Sequence, residues 1–347
     1  MWHATRPSAR TAALAAVLAL AAGTACGDDD DDDDQGADVD AATGAADAAA
    51  TGQPDAGAID AILLPGEEVY PEGAASLADG TLFVGSLNQG TIFRVPPGAA
   101  APEAEPFAEA GDNGLINTTG LLADPARGLL WACSSDLGIS PGAGSAPPGL
   151  KAFDLATGAP AGSYDLPGGG FCNDVALDAD GNAYVTDSFG PRILRLPADG
   201  TGLEIWLEDE RFGGEGFNLN GIAVDGADLY TVKYNTGELY RVPIGEDGEP
   251  GEVTALAVDP TLESPDGLRV EASGTLLVVE GVGRLTRIAV GDGAPVSTVI
   301  SDQLDGPASV ALIGSDAWLT ETQLVHLTDP ESGPPELPFR IERVSLE

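Results

Sequence analysis

The chain has 347 residues and a formal charge of −41, from 56 acidic residues against 15 lysines and arginines. Residues 1–60 hold 12 acids and 2 arginines, so the rest keeps 44 acids and 13 basic residues, a charge of −31. So acidic a body excludes nucleic acid and anionic lipid surfaces as partners and suits a cation-rich exterior or a bound cation. With 47 glycines, 26 prolines and apolar residues in short bursts, the composition is that of a turn-rich all-β protein.

In chain order, the first element is a targeting segment, residues 1–25. Arg6 and Arg10 form a positive start, and Thr11 to Ala22 is an Ala/Leu run too short to span a bilayer as a mature helix. It ends in Gly23-Thr24-Ala25-Cys26, which resembles a bacterial lipobox. That resemblance implies lipidation of Cys26 and a cell-envelope lipoprotein touching the membrane only through its lipid. Residues 26–60 open with Asp28 to Asp34 and continue rich in Ala, Gly and Asp. With almost nothing to bury and like charges throughout, they are expected to be a disordered tether.

Residues 61–347 then carry a repeat. Glu72-Gly73, Thr119-Gly120, Asn173-Asp174, Asn220-Gly221, Asp266-Gly267 and Asp305-Gly306 each lead into a strand, a tight turn, a second strand, a turn and a third. The first turn is Ala-Asp-Gly or a relative of it, as a short hairpin requires. Intervals of 47, 54, 47, 46 and 39 residues, with three to four strands each, predict a six-bladed β-propeller. A strand near Ala61-Leu64, or Phe339-Val344, is expected to complete the last sheet. A monomer is expected.

Cys133 and Cys172 are the cysteines left after Cys26, and in an oxidising envelope they are candidates for a disulfide. Closing a loop of about 40 residues would stabilise by roughly 3–4 kcal/mol. Without a Cys/His cluster, zinc is not expected. His326 is expected to be an ordinary strand residue, and Trp131, Trp206 and Trp318 to pack between blades.

The innermost strand of each blade lines the channel, so the residue before it stands at one mouth. Glu72, Thr119, Asn173, Asn220, Asp266 and Asp305 all carry side-chain oxygen, and Asp174 adds a carboxylate. Like charges about 4 Å apart repel by roughly 4 kcal/mol at an effective dielectric of 20, so converging carboxylates must protonate or hold a cation. Hard oxygen donors select Ca²⁺ first, with Mg²⁺ and Mn²⁺ as alternatives. Local turn capping by Asn and Asp is the competing explanation.

The order Glu-Gly, Asn-Asp, Asn-Gly, Asp-Gly resembles the SMP-30/gluconolactonase/LRE-like group of six-bladed propellers. The resemblance implies Glu72, Asn220 and Asp266 as metal ligands and Asn173 as a substrate contact. It departs where the lactonases carry an Arg two residues before the Asn-Asp-Gly asparagine: Phe171 stands there, and Val175 replaces the glycine. The metal framework is kept and the sugar-binding surround is not, so gluconolactone is not the expected substrate. The expected activity is metal-dependent hydrolysis of lactones or related esters, with Asp266 or Asp174 as general base and Phe171 and Asn173 facing the substrate. A non-catalytic propeller that binds a ligand around a structural metal is the alternative.

Overall fold

The computed structural model describes residues 60–98, 103–291 and 293–347. The targeting segment, Cys26 and the tether up to residue 59 lie outside the described residues. Within them, no helix is long and apolar enough to cross a membrane.

Six four-stranded antiparallel sheets follow one another as six blades. Blade 1 is β2 (Pro71–Ser76), β3 (Leu82–Ser86), β4 (Ile92–Val95) and β5 (Glu105–Ala108). Blade 2 runs β6 (Asn117–Asp124) to β9 (Pro160–Asp165), with β7 (Leu129–Ser135) second. Blade 3 runs β10 (Cys172–Leu177), β11 (Ala183–Asp187), β12 (Arg192–Leu196) and β13 (Glu204–Glu208). Blade 4 runs β14 (Leu219–Asp225) to β17 (Thr254–Leu256), and blade 5 runs β18 (Pro265–Ala272) to β21 (Val296–Ser301). Blade 6 holds β22 (Pro307–Ile313), β23 (Asp316–Glu321) and β24 (Arg340–Ser345), and its outermost strand is β1 (Ala61–Leu63) from the start of the domain.

That closure uses both segments singled out in the sequence. Residues 340–345 are the third strand of the last blade, and β1 pairs with them antiparallel, Ile62 opposite Ile341. The first strand thus clasps the ring shut, and Tyr70 packs on Phe339 at 4.7 Å between ring centres. Alternate strand residues point into the gaps between blades, where six apolar clusters form the core. Trp131, Trp206 and Trp318 are buried in these gaps. Cys133 and Cys172 are bonded and staple blade 2 to blade 3.

Every innermost strand breaks register at the same place. Two residues on the inner strand oppose one on its partner, as between Pro71 and Ala74 or between Pro265 and Leu268. Such a one-residue bulge bends the strand and re-aims its side chains. The bulge falls on Glu72-Gly73, Thr119-Gly120, Asn173-Asp174, Asn220-Gly221, Asp266-Gly267 and, in blade 6, Ala308-Ser309. The sixth junction residue is therefore Ala308 and not Asp305. Asp305 lies three residues earlier, where its backbone N–H donates to the Glu321 carboxylate.

The glycine at the second bulge position has a steric cause. A Cβ on Gly73 would sit 1.8 Å from the Thr119 carbonyl of the next blade, and one on Gly221 would sit 2.3 Å from the Asp266 carbonyl. Blades 3 and 6, opposite each other, carry Asp174 and Ser309 there instead. Both side chains turn to the neighbouring blade and accept a backbone N–H, from Ile222 at 3.3 Å and from Ala74 at 3.2 Å.

Candidate metal centre at the channel mouth

The bulges bring three carboxylates to one mouth of the channel. Glu72 comes from blade 1, Asp174 from blade 3 and Asp266 from blade 5, with Asn220 of blade 4 between the last two. Their neighbours differ. Asp174 is almost fully buried and accepts from Arg269 Nη1 at 2.8 Å and Nη2 at 3.3 Å, and from its neighbour Val175 N at 2.9 Å. Its charge is thus matched by a guanidinium that crosses the channel from blade 5. Arg269 also donates to the Leu121 carbonyl of blade 2 at 3.0 Å and to the Leu268 carbonyl at 2.7 Å.

Glu72 and Asp266 have no such cation. Glu72 is buried, and its Oε2 has no hydrogen-bond partner. Burial first, then the charges of Asp266 and Asp174, push the Glu72 carboxyl well above the usual carboxylate range, with Arg269 pulling weakly the other way. Asp266 faces the channel but is surrounded by protein. Burial and the Asp174 charge raise its carboxyl as well, opposed by a hydrogen bond from the Asn220 side chain. Glu72, buried, and Asp266, half-buried, both have raised proton affinity, one Glu72 oxygen is orphaned, and neither acid has an ion-pair partner of its own.

Along the inner strands beyond Arg269, the channel continues as a cavity of about 140 Å³ lined by Ala74, Leu121, Ala123 and Leu312 among others. Arg269 lines it too, and so separates the acidic mouth from this apolar space. Sequence reading missed Arg269, although a signal existed. The equivalent inner-strand positions are Ala75, Leu122, Ala176, Ala223 and Ala311, and an arginine among five apolar residues marks a channel-spanning charge.

Other candidates are placed differently from expectation. Phe171, expected at the substrate, is 2% exposed and lies beneath Phe189 and Phe217. It therefore cannot offer its own face to a ligand. Asn173 is buried and donates to Ser188 Oγ at 2.9 Å, which in turn donates to the Leu219 carbonyl. Thr119 donates to the Cys172 carbonyl at 2.9 Å, a bond between blades. His326 is not on a strand but in a short helix, Leu324–Thr328, with Nδ1 3.1 Å from the Gly333 carbonyl.

The donor types are those of a hard divalent cation. Glu72, Asp266 and the Asn220 amide, which hydrogen-bonds Asp266, offer oxygen without His or Cys, and Glu72 Oε2 has no hydrogen-bond partner. No group of three or more His, Cys, Asp or Glu gathers as a metal cluster among the described residues, so Asn220 would have to supply the third ligand.

The chain is thus a six-bladed β-propeller with an acidic, guanidinium-spanned mouth. No protein-family model and no curated protein sequence matches it. Its fold is similar to several solved structures. One is a gluconolactonase from Xanthomonas campestris, at 18% identity over 82% of this chain and 88% of that one, TM-score 0.57. A luciferin-regenerating enzyme matches at 13% identity over 81% and 92%, TM-score 0.59. The major allergen Mala s 1 of Malassezia sympodialis matches at 16% identity over 83% and 96%, TM-score 0.63. At such identities the likeness is one of fold.

Proposed function

We propose that the protein is a divalent-cation-dependent hydrolase of lactones or related esters, working at the acidic mouth with Glu72, Asn220 and Asp266 as ligands and Ca²⁺ as the ion. The observation that carries this reading is the pair Glu72, buried, and Asp266, half-buried, carboxylates from two blades with no ion-pair partner of their own and one Glu72 oxygen unpartnered. The gluconolactonase among the similar folds supports the reaction class.

When bound, the cation would polarise a carbonyl and acidify water. The chain's residues do the rest. Asn220 holds the Asp266 carboxyl in place. Asp266 is the group placed to take a proton from an attacking water, provided one oxygen stays free of the cation. Asp174, the other expected base, already accepts from Arg269, Val175 N and Ile222 N. Its role in this reading is to anchor Arg269 and to keep local negative charge beside Asp266. Bulged carbonyls are fixed by hydroxyls of the preceding blade, as Thr320 does for Glu72 at 2.8 Å and Thr186 for Asn220 at 2.7 Å. Preorganised in this way, the ligands need little rearrangement.

The test is turnover of a panel of neutral lactones and aryl esters by the purified chain, stripped with chelator and then reloaded with Ca²⁺. Activity that vanishes and returns, and that falls by about 10²–10⁴-fold in Asp266→Asn, supports the proposal. Cation binding with no turnover of any substrate would support the non-catalytic alternative. Export and anchoring through a lipid on Cys26 belong to the same proposal; Cys26→Ser should release the protein from membranes.

A further inference from the structure

Beside the acidic mouth stands a continuous row of aromatic rings. Phe171 packs on Phe189 at 5.0 Å and on Phe217 at 5.4 Å between ring centres. Phe189 and Phe217 lie 5.3 Å apart, and Phe217 meets Tyr234 at 6.4 Å. The row comes from four separate stretches of chain, two of them next to a junction. Phe171 stands two residues before Asn173, Phe217 three before Asn220, and Phe189 follows Ser188 at the end of β11. Phe171 is the buried floor. Phe189 is 47% exposed, and Phe217 and Tyr234 are half-buried. At its inner end the row reaches Tyr234, which has Asp266 and Ser264 as neighbours.

A large exposed phenyl ring stacked on two others leaves its outer face open, and it stands at the end of the propeller where the inner strands begin, the end that carries Glu72 and Asp266. Aromatic faces of this kind bind apolar or aryl groups well, because they are rigid and large. The basic residues near this rim are committed elsewhere. Arg192 pairs with Asp187 at 2.9 Å, Lys233 donates to the Arg211 carbonyl at 3.0 Å, and Arg284 pairs with Glu280 at 2.7 Å. With these three committed, none of them is free to receive an anionic substrate, and the nearby carboxylates repel one.

We infer that Phe189, Phe217 and Tyr234 form the subsite for an apolar alkyl or aryl arm of a neutral lactone or ester, whose carbonyl lies over Asp266. This rests on the hydrolase reading for the carbonyl, but the apolar subsite stands by itself as a binding site. Substrates with long, uncharged arms are selected, and sugar acids and other anions are rejected.

Two readouts keep the two ideas apart. The first is binding of N-phenyl-1-naphthylamine, a neutral apolar fluorophore, to the intact chain. It should bind, and Phe189→Ser and Phe217→Ser should each weaken binding about tenfold, while Phe189→Trp, which keeps an aromatic face, should restore it. Both rings are partly exposed, and an unchanged melting temperature would verify that the serine variants fold. The second is kcat/KM along a γ-alkyl lactone series. It should rise about threefold to fourfold per methylene until the arm outgrows the row, and this slope should flatten in the serine variants. Probe binding as expected with no turnover of any lactone would overturn the hydrolase reading and leave the subsite. Turnover without chain-length dependence, together with probe binding indifferent to the serine variants, would overturn the subsite and leave the hydrolase reading.

Discussion

Two sets of buried carboxylates in this propeller are handled in opposite ways. Asp187, Glu280 and Glu321 end the second strands of blades 3, 5 and 6, and each is almost fully buried. Each accepts a backbone N–H just ahead of its blade's inner strand, from Phe171, Glu263 and Asp305. Each also pairs with an arginine on the next strand or just ahead of it, Arg192 at 2.9 Å, Arg284 at 2.7 Å and Arg340 at 2.6 Å. These acids form a girdle whose charges are satisfied by the protein itself. Glu72 and Asp266, a few ångströms of strand away, have no arginine of their own and are held with their carboxyls well above the usual range. Since the fold can supply an arginine to a buried acid in three blades, its absence at two mouth positions points to a partner from outside. Buried acidity alone therefore does not mark a site; buried acidity without a counter-charge does.

Breaking the girdle should cost most. Asp187→Ala leaves Arg192 and the Phe171 N–H without their acceptor, and should destabilise by about 3–5 kcal/mol in chemical denaturation. If the loss is under about 1 kcal/mol, the girdle is not structural and the contrast fails. The channel ion pair comes next. Arg269→Met leaves Asp174 buried and uncompensated, at a cost of about 3 kcal/mol, and adding Asp174→Asn should recover part of it. Independent, additive losses would contradict the pairing.

The mouth acids should behave in the opposite sense. Glu72→Gln and Asp266→Asn remove buried repulsion, so in chelator each should leave stability unchanged or raise it by about 1 kcal/mol at pH 8. pH sharpens this. A carboxyl whose folded pKa is raised keeps its proton in the folded state while the unfolded chain has lost it. The contribution of these two groups to metal-free stability should therefore be fully present below about pH 4, the unfolded value, and be lost as pH rises toward the raised folded values. In the two variants this decline should shrink. A decline equal to that of the parent would assign it to other groups. The smallest effect is expected at the surface, where the exposed Arg94–Glu105 pair should be worth under about 1 kcal/mol on Arg94→Ala.

Much of this organisation was legible in the sequence, for reasons that also explain the errors. Blades 1 to 5 announced themselves because the bulge demands a glycine, or an acid that reaches the next blade, directly after the junction residue. Blade 6 carries Ala308-Ser309, which has neither a carboxylate nor a glycine, and Asp305-Gly306 nearby imitated the motif. The carboxylates of the mouth were readable because residue type and spacing suffice to place them. The pairing of Arg269 was not, since its partner Asp174 is 95 residues away and only the closed ring brings them together. The aromatic row was hidden for the same reason: Phe189 and Phe217 sit in different loops, and only Phe171 stood at a position the lactonase resemblance marks. Phe171 proved to be the buried floor of the row because a ring so close to the inner strand is covered by those that follow.

The central claim is that the mouth holds a divalent cation through Glu72 and Asp266. The direct measurement is equilibrium binding of Ca²⁺ at pH 8 to the mature chain and to its Glu72→Gln/Asp266→Asn double variant, with the melting temperature read on the same samples. The account predicts one ion bound tightly by the parent and absent from the double variant, with a Ca²⁺-dependent rise in melting temperature that disappears with it. Weak ions held by the Asp28–Asp34 run should be equal in both. Identical binding and identical melting shifts in the two proteins would contradict it.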